Sequence, residues 1–273
     1  MTTMTMTMMK KIFLLPLLIV LACSFAFSQI TVGGNAKIGG AVTIGASSGG
    51  GGATFTHVQG GAVPSNTNTI KCASSGGTGN CTSNVASGDL LQITIEYSAT
   101  TYVSSDTQSL TWHPFCAASV ACGPSGTTAD ANGCLLFSGS YFCVFYAVAT
   151  SSGAETVTIS SFTTNLTMDE WHRTSGTWTL DVAAGLIGGY NTACSSNASS
   201  SVAGAGELII GAGTGGSAVS YTPTGSLTTL DSSLTTPYPI GVGYTLSGSS
   251  GAQTFAFTLS GNSDWTCEGA AFK

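Results

Sequence analysis

From Phe55 onward, hydrophobic and polar residues alternate along short stretches of the chain. In the stretch "GDLLQITIEYS", Leu91, Ile93 and Ile95 fall on one face, and the polar residues between them fall on the other. The stretches "AQTFAFTLSG" and "ETVTIS" alternate in the same way. A repeat of two residues is typical of β-strands, because successive side chains point to opposite sides of the backbone.

The stretch "CLLFSGSYFCVFYAVA" is apolar through nearly all of its second half, which indicates a strand buried on both faces. β-Branched and aromatic residues fill these stretches, and clusters of Gly, Ser, Asn and Pro separate them. No window of about 11 residues shows a helical stripe with caps. We therefore predict an all-β fold, in which residues 54–273 form a single antiparallel, jelly-roll-like β-sandwich domain with disulfide-stapled loops.

The N-terminal segment has the features of a secretory signal peptide. Lys10 and Lys11 precede an apolar stretch, and small residues flank a phenylalanine at positions 26–28. A basic start, an apolar segment of about a dozen residues and such an ending mark a chain for export. A membrane span needs about 20 apolar residues, and polar sequence begins too early for that, at Gln29. We predict a Sec-type signal peptide at residues 1–28, and a secreted, extracellular or cell-surface location.

A lipid anchor is the alternative to a cleaved, freely secreted chain. The residues "VLAC" at positions 20–23 loosely resemble a lipobox, which would place a lipid on Cys23. Residues 29–53 follow the signal peptide and are rich in glycine and serine, with a single charged residue. We predict that they form a Gly-rich N-terminal arm or linker, and that any membrane contact is made through the signal peptide or this lipid.

The number and spacing of the cysteines predict four disulfides. One of the nine cysteines, Cys23, lies in the predicted signal peptide. An even number in an exported chain indicates disulfide bonds, although eight cysteines allow about 105 connectivities. Proximity along the chain favours three local pairs and leaves one long closure. The pairs are Cys72 with Cys81, Cys116 with Cys122, Cys134 with Cys143, and Cys194 with Cys267.

The charge of the chain disfavours several kinds of partner. Beyond residue 28 the chain keeps four basic and twelve acidic residues, a net charge of −8. A protein that binds phosphate backbones needs a basic surface, so nucleic acid is not an expected partner. The histidines His57, His113 and His172 are scattered and no C-x-x-C occurs, so no metal site is predicted.

Two motif searches argue against common enzyme classes. The G-x-S-x-G at residues 45–49 lies in the Gly/Ser-rich segment, and no serine precedes the sharp strand-to-helix turn that carries the nucleophile of an α/β-hydrolase. Residues 211–216 match G-x-G-x-x-G, but turn and strand sequence follows where a dinucleotide site requires a helix. We therefore predict no cofactor.

Charged residues are concentrated in "NLTMDEWHRTSG", residues 165–176. If this segment is a strand, Leu166 and Met168 mark its core side. Glu170 and His172 lie on that same side of the strand. A buried carboxylate needs a partner, and His172 is close enough along the strand to supply one. We predict that Glu170 accepts hydrogen bonds from a neighbouring loop and locks the end of the strand.

Two functional interpretations of this segment stay open. Glu170 is a candidate general acid or base tuned by His172, although a glycosidase needs a second carboxylate about 5–10 Å away. Trp171 and Arg173, on the opposite face of the strand, are candidates for contact with a ligand at the outer surface. The sequence alone does not choose between these interpretations and a purely structural one.

Aromatic residues add a sugar-binding interpretation, because tryptophan and tyrosine rings stack on pyranose rings. Packing in the core or at strand ends is the other interpretation, because a large sandwich needs bulky apolar side chains. The aromatic candidates are Trp112, Trp171, Trp178, Trp265, Tyr190, Tyr238 and Tyr244. The ligand-binding candidates taken together are Trp112, Glu170, Trp171, His172 and Arg173.

A series of short motifs between residues 85 and 273 resembles a recurrent module. The motifs are "GDLLQITIEYS", "VSSDTQSLTW", "FYAVATSSGAETVTIS", "LTMDEWHRTSG", "GELIIGAGT" and "GAQTFAFTLSGNSDWTCEGAAFK". The series is similar to a secreted β-sandwich module of environmental bacterial surface proteins, of concanavalin A-like or jelly-roll type. Gln108-Ser109 departs from the usual Gly-Asn of that module, and residues 171–173 depart from its usual Tyr-Ser-Gly. The resemblance implies the fold, and a glutamate at position 170 without known chemistry.

These observations predict a non-enzymatic module that binds or assembles through its β-sandwich. The alternative is a carbohydrate-binding, lectin-like domain or a carbohydrate-active accessory domain. The arm contains near-copies of "IGG" and "VGG" and resembles the Gly-rich stems of tail-fibre-like proteins, in which chains associate side by side. A polysaccharide and self-association through the arm are therefore the expected partners, while a disordered tether or an intramolecular strand are the other interpretations of the arm.

Overall fold

The computed structural model describes residues 53–99, 101–199, 204–234 and 239–273. The predicted signal peptide, Cys23 and the arm up to residue 52 lie outside the described residues, and so does Tyr238. Every named element of the described part is a β-strand. This part contains no helix that is long and apolar enough to cross a membrane.

Seven strands form the first sheet, and all of their pairings are antiparallel. The strands are β1 (Phe55–Cys72), β2 (Leu90–Tyr97), β3 (Val103–Asp106), β4 (His113–Pro114), β5 (Leu135–Phe137), β6 (Ser140–Val148) and β7 (Glu155–Arg173). Their order is β1-β7-β2-β6-β4, with β3 paired to β7 and β5 paired to β6. The predicted strand in "NLTMDEWHRTSG" is therefore the C-terminal part of β7, which lies between β1 and β2.

Six strands form the second sheet, which is also antiparallel. The strands are β8 (Leu180–Ala198), β9 (Glu207–Gly215), β10 (Tyr221–Gly225), β11 (Thr229–Leu234), β12 (Ile240–Gly248) and β13 (Thr254–Phe272). Their order is β10-β13-β9-β12-β11, with β8 paired to the other edge of β13. The predicted antiparallel β-sandwich is confirmed.

Two hydrophobic layers lie against the first sheet. The inter-sheet core contains side chains of both sheets, among them Leu90, Trp171 and Phe272. A second layer, which we call the outer core, contains only residues of the first sheet and its loops, among them Ile93 and Met168. Both faces of the first sheet are therefore buried, one by the second sheet and the other by loops.

All four predicted disulfides are confirmed, and each fastens a loop or a strand pair. Two of them contribute sulfur atoms to the outer core and so hold its covering loops in place. The Cα atoms of the bonded cysteines lie between 4.4 and 5.8 Å apart. Four disulfides are typical of proteins that work in an oxidising, extracellular environment. The bonds are Cys72–Cys81, Cys116–Cys122, Cys134–Cys143 and Cys194–Cys267.

The loop between β4 and β5 covers part of the free edge of β8. Gly185 of β8 donates its N–H to the carbonyl of Cys122 at 2.9 Å and accepts the N–H of Thr127 at 3.0 Å. Cys122 is bonded to Cys116, so a disulfide closes the turn that makes this contact. The backbone groups of an edge strand are otherwise free to pair with another chain.

Polar side chains fill one part of the space between the two sheets. Alternation along β2 and β7 puts them on the face that carries Leu90 and Trp171, and alternation along β9 and β13 puts others on the facing side of the second sheet. All of these side chains are fully buried. They are Gln92, Thr94, Glu96, Asn165, Thr167, Asp169, Thr214, Thr266 and Glu268.

Several of these polar atoms make no hydrogen bond to another group of the described residues. They are Gln92 Oε1, both amide atoms of Asn165, the hydroxyls of Thr167 and Thr266, and Glu268 Oε1. A buried polar group without a partner costs about 1–3 kcal/mol, and a whole domain is stable by only about 5–15 kcal/mol. We therefore expect ordered water to bridge these groups.

Replacing Thr167 by valine distinguishes a hydrated interior from a dry one. Valine keeps the shape of threonine but removes the hydroxyl, so it removes a partner from any bridging water. We expect Thr167→Val to lower the free energy of unfolding by about 1 kcal/mol in urea titrations. The control is Thr258→Val, at an exposed position of β13, which corrects for the higher strand preference of valine. A gain in stability relative to that control would show a dry interior and contradict the expectation.

Candidate functional site

The charged segment of β7 contributes to an acid cluster formed by Gln59, Ala86, Asp89, Glu170 and His172. Glu170 is fully buried, and each of its carboxyl oxygens has a protein donor. The side-chain amide of Gln59 donates to Glu170 Oε2 at 2.5 Å, and the backbone N–H of Ala86 donates to Oε1 at 2.9 Å. The predicted role of Glu170, to bind a neighbouring loop at the strand end, is confirmed.

Strand pairing and a backbone irregularity bring the members of the acid cluster together. Gln59 lies opposite Glu170 because the register of β1 against β7 shifts between His57 and Gln59. Gln59 also exchanges two hydrogen bonds with the backbone of Ser83, with its amide nitrogen on the carbonyl at 3.0 Å and its amide oxygen accepting the N–H at 2.9 Å. The pairing of Leu90 with Trp171 puts the preceding residue, Asp89, beside the end of β7.

The charge on Glu170 is disfavoured in this environment. The pKa of Glu170 is raised to about 7, mainly by burial and also by the neighbouring Asp89 carboxylate, while the hydrogen bonds from Gln59 and Ala86 act to lower it. His172 does not bond to Glu170, as the sequence suggested, but contacts Asp89 Oδ1 through Nδ1 at 2.6 Å. Asp89 therefore stands between the two residues, and that part of the prediction is wrong because Asp89 is remote in sequence.

The prediction that Trp171 lies on an outer face is wrong. Trp171 is fully buried in the inter-sheet core, with an exposure to solvent of 0%. Its ring meets His57 edge-on at 5.5 Å and Tyr244 edge-on at 6.4 Å between centroids. The side marked by Leu166 and Met168 is also buried, in the outer core, so both faces of β7 are core faces. A buried indole has no surface to offer a ligand.

Arg173 is committed to contacts inside the chain. Its guanidinium donates to the carbonyl oxygens of Ser175 and Thr177 and so closes the turn after β7. The same group lies 5.8 Å from the ring centroids of both Phe55 and Trp178, a cation–π geometry. The predicted contact of Arg173 with a ligand would compete with these interactions.

Two of the other aromatic candidates, Trp178 and Tyr244, pack against the inter-sheet core with Trp171, and the remaining described ones lie elsewhere in the fold. Trp265 is buried and donates its indole N–H to Asn191, whereas Trp178 is half-buried and donates to the carbonyl of Gly88. Tyr244 is half-buried and stacks on His57. Tyr190 is 69% exposed and stands apart from the acid cluster on β8. The structure therefore does not gather these rings into one aromatic surface.

Trp112 belongs to a surface cleft of about 530 Å³, formed by β3 and the following loop. Residues 103–106 and 109–112 line the cleft. The indole N–H of Trp112 donates to Asp106 Oδ2 at 3.2 Å. Asp106 also accepts the backbone N–H groups of Gln108 at 2.9 Å and Leu110 at 3.0 Å, and so shapes the loop around the cleft.

A second carboxyl group, Glu155, lies next to this loop and was not found from the sequence. Glu155 is fully buried, and its Oε1 accepts the N–H of Thr107 at 3.1 Å. The pKa of Glu155 is raised to about 7, mainly by burial and also by the charge of Asp106, while hydrogen bonds from Thr107 and Gln108 act to lower it. Glu155 is the first residue of "ETVTIS", where only the strand pattern is visible, so no feature of the sequence indicates that it approaches Asp106.

Within the described ranges, three side chains of metal-binding types lie close together. The Sγ atoms of Cys116 and Cys122 and a carboxyl oxygen of Glu268 lie within 4.8 Å of one another. Both sulfur atoms are bonded in the Cys116–Cys122 disulfide. A thiolate is needed to bind a metal ion, so this group is not a metal site in the oxidised protein.

Comparisons of the whole chain with protein-family models, curated proteins and solved structures give no match. The resemblance to a secreted module of environmental bacteria therefore stays a prediction. The function has to be inferred from the acid cluster, from the cleft at Trp112 and from the disulfide-fastened sandwich that holds both.

Proposed function

We propose that the chain is a non-enzymatic, exported β-sandwich module that binds or assembles outside the cell. The burial of two carboxyl groups with pKa values of about 7, Glu155 and Glu170, carries this proposal. Glu155 and Glu170 are both fully buried, and each accepts hydrogen bonds that hold a loop onto the first sheet. A general acid must reach a proton on its substrate directly or through one water molecule. Two sealed carboxyl groups fit a structural role better.

The disulfides support a role outside the cell. The four disulfides persist in an oxidising compartment and not in the cytosol. The signal peptide at residues 1–28 would direct the chain to that compartment, where it would be either free or anchored by a lipid on Cys23. Self-association through the arm, residues 29–53, is a second mode of assembly beside ligand binding, and it fits an arm whose β-branched residues are spaced by glycine.

A carbohydrate-active domain is the second candidate, and one observation favours it. Asp106 and Glu155 are two neighbouring carboxyl groups beside an aromatic cleft, and the pKa of Glu155 is about 7. Most glycosidases use a pair of carboxyl groups for catalysis. Glu155 does not line the cleft, however, and the oxygens of Asp106 already accept the N–H groups of Gln108, Leu110 and Trp112. Binding without turnover is the better supported role.

A polysaccharide screen of the mature chain, residues 29–273, tests the proposal. We expect retention on a polysaccharide column, or self-association in light scattering at tens of micromolar, and no release of reducing sugar. Glu155→Gln and Glu170→Gln are the matched variants. Sugar release that is lost in either variant would make the chain an enzyme and overturn the proposal. Absence of both retention and self-association would also contradict it.

A further inference from the structure

We propose that the cleft at Trp112 binds a saccharide chain, with one sugar ring stacked on the indole. This inference rests on the proposed function, because it names the site and the class of ligand through which the module binds. The cleft has a volume of about 530 Å³, and small-molecule sites are typically about 300–1,000 Å³. It is therefore large enough for a short stretch of a glycan.

Trp112 is held in one orientation before any ligand arrives. Its indole N–H donates to Asp106 Oδ2 at 3.2 Å, and the buried part of its ring packs against the outer core. The Asp106 carboxylate is itself fixed by the N–H groups of Gln108 and Leu110. A ring that is already oriented loses little conformational entropy when it stacks on a ligand.

The loop that carries Trp112 is anchored to the rest of the sheet from two sides. The side-chain oxygen of Gln108 accepts the backbone N–H groups of Thr150 and Ser151, each at 3.0 Å. On the other side, Glu155 accepts the N–H of Thr107. Ser109, which lines the cleft, has a φ of 58°, a left-handed conformation that a serine adopts at a cost. Such strain is concentrated at binding and active sites.

The lining of the cleft favours a neutral ligand with many hydroxyl groups. Ser105, Ser109 and Thr111 are exposed there and offer hydroxyl groups that both donate and accept hydrogen bonds. None of the described residues that line the cleft is a lysine, arginine or histidine. An anionic ligand would face the Asp106 carboxylate without a compensating cation. A neutral pyranose offers C–H groups to an aromatic face and hydroxyl groups to the surrounding serines.

Titration of the mature chain with defined hexasaccharides tests this inference. The probes are cellohexaose, xylohexaose and mannohexaose, with hexagalacturonic acid as the anionic comparison. We expect at least one neutral probe to bind and to shift the indole N–H resonance of Trp112 among the four tryptophans. Trp112→Ala should weaken that binding about tenfold or more, the effect of losing one central aromatic contact. Trp112→Phe keeps a ring and should lose less.

The matched control is Trp178→Phe, a half-buried tryptophan whose indole N–H binds the carbonyl of Gly88 outside the cleft. This variant should bind the probe as the unmodified chain does. If Trp112→Ala does not fold, the resonance shift and the Trp112→Phe titration still decide the matter. If neither Trp112 variant weakens binding of the probe, the inference is overturned while the proposed function stays intact. Preference for the acidic probe, or no binding of any neutral probe at about 10 mM, would overturn it as well, whereas turnover would overturn the proposed function.

Discussion

Removing the Cys194–Cys267 disulfide is expected to destabilise the folded chain by about 4 kcal/mol. The bond joins residues separated by 73 positions. In the chain-entropy model a bond restricts the unfolded chain more strongly when it closes a longer loop. A loss of this size should lower the melting temperature by about 10 °C in a domain of about 220 residues. The variant is Cys194→Ser combined with Cys267→Ser, followed by thermal and urea unfolding.

The matched control is the local pair Cys72–Cys81, separated by 9 positions. Both pairs are buried, so serine substitution buries two hydroxyl groups in each case. The shorter loop should cost only about 2.5 kcal/mol in the same model. Equal losses for the two pairs would mean that packing around the sulfur atoms, and not loop length, determines what each bond contributes.

Raising the pH from about 4.5 to 7 is expected to lower stability. Glu155 and Glu170 have pKa values of about 7 in the folded chain, above the ordinary value of 4.5. Between these values the folded chain keeps protons that the unfolded chain releases, so each unit by which the pH rises favours unfolding. The contribution is fully present below pH 4.5 and lost by about pH 7, at most about 3 kcal/mol for each group. Burial acts in the same direction on the pKa of Glu268.

Two glutamine variants separate the contributions of these groups. Glu155→Gln removes a buried charge next to Asp106 and keeps an oxygen for the N–H of Thr107. It should raise stability at pH 8 by about 1–2 kcal/mol and flatten the pH dependence. Glu170→Gln should flatten it too but gain less, because its amide nitrogen would face either Gln59 or Ala86, which are both donors. A pH profile that neither variant changes would show that these carboxyl groups are ionised normally.

The strands and the disulfides could be predicted from the sequence because local patterns carry them. The alternation in "GDLLQITIEYS" forms β2, and cysteines 6 to 9 positions apart form three of the four bonds. Alternation states which residues share a face and not what covers that face. Gln92 and Glu96 of β2 are polar and fully buried, because they point into the polar part of the space between the sheets.

The candidate site was predicted less well, because contacts remote in sequence assemble it. Glu170 meets Ala86 and Asp89 only through the pairing of β7 with β2 and the folding back of the loop before β2. Asp106 and Glu155 meet through the pairing of β3 with β7, which no local pattern shows. Trp171 was placed on the wrong side because a sheet with two buried faces has no solvent side to identify.

The covered edge of β8 links solubility to the compartment in which the chain folds. Two backbone hydrogen bonds at Gly185 hold the loop closed by Cys116–Cys122 against that edge. Where this bond cannot form, the loop is freer to leave and a long strand edge is presented to other chains. Edges of this kind template aggregation. Production in a reducing cytosol should therefore yield inclusion bodies even if most of the sandwich can form, whereas folding in an oxidising compartment lets the Cys116–Cys122 bond form and the loop cover this edge.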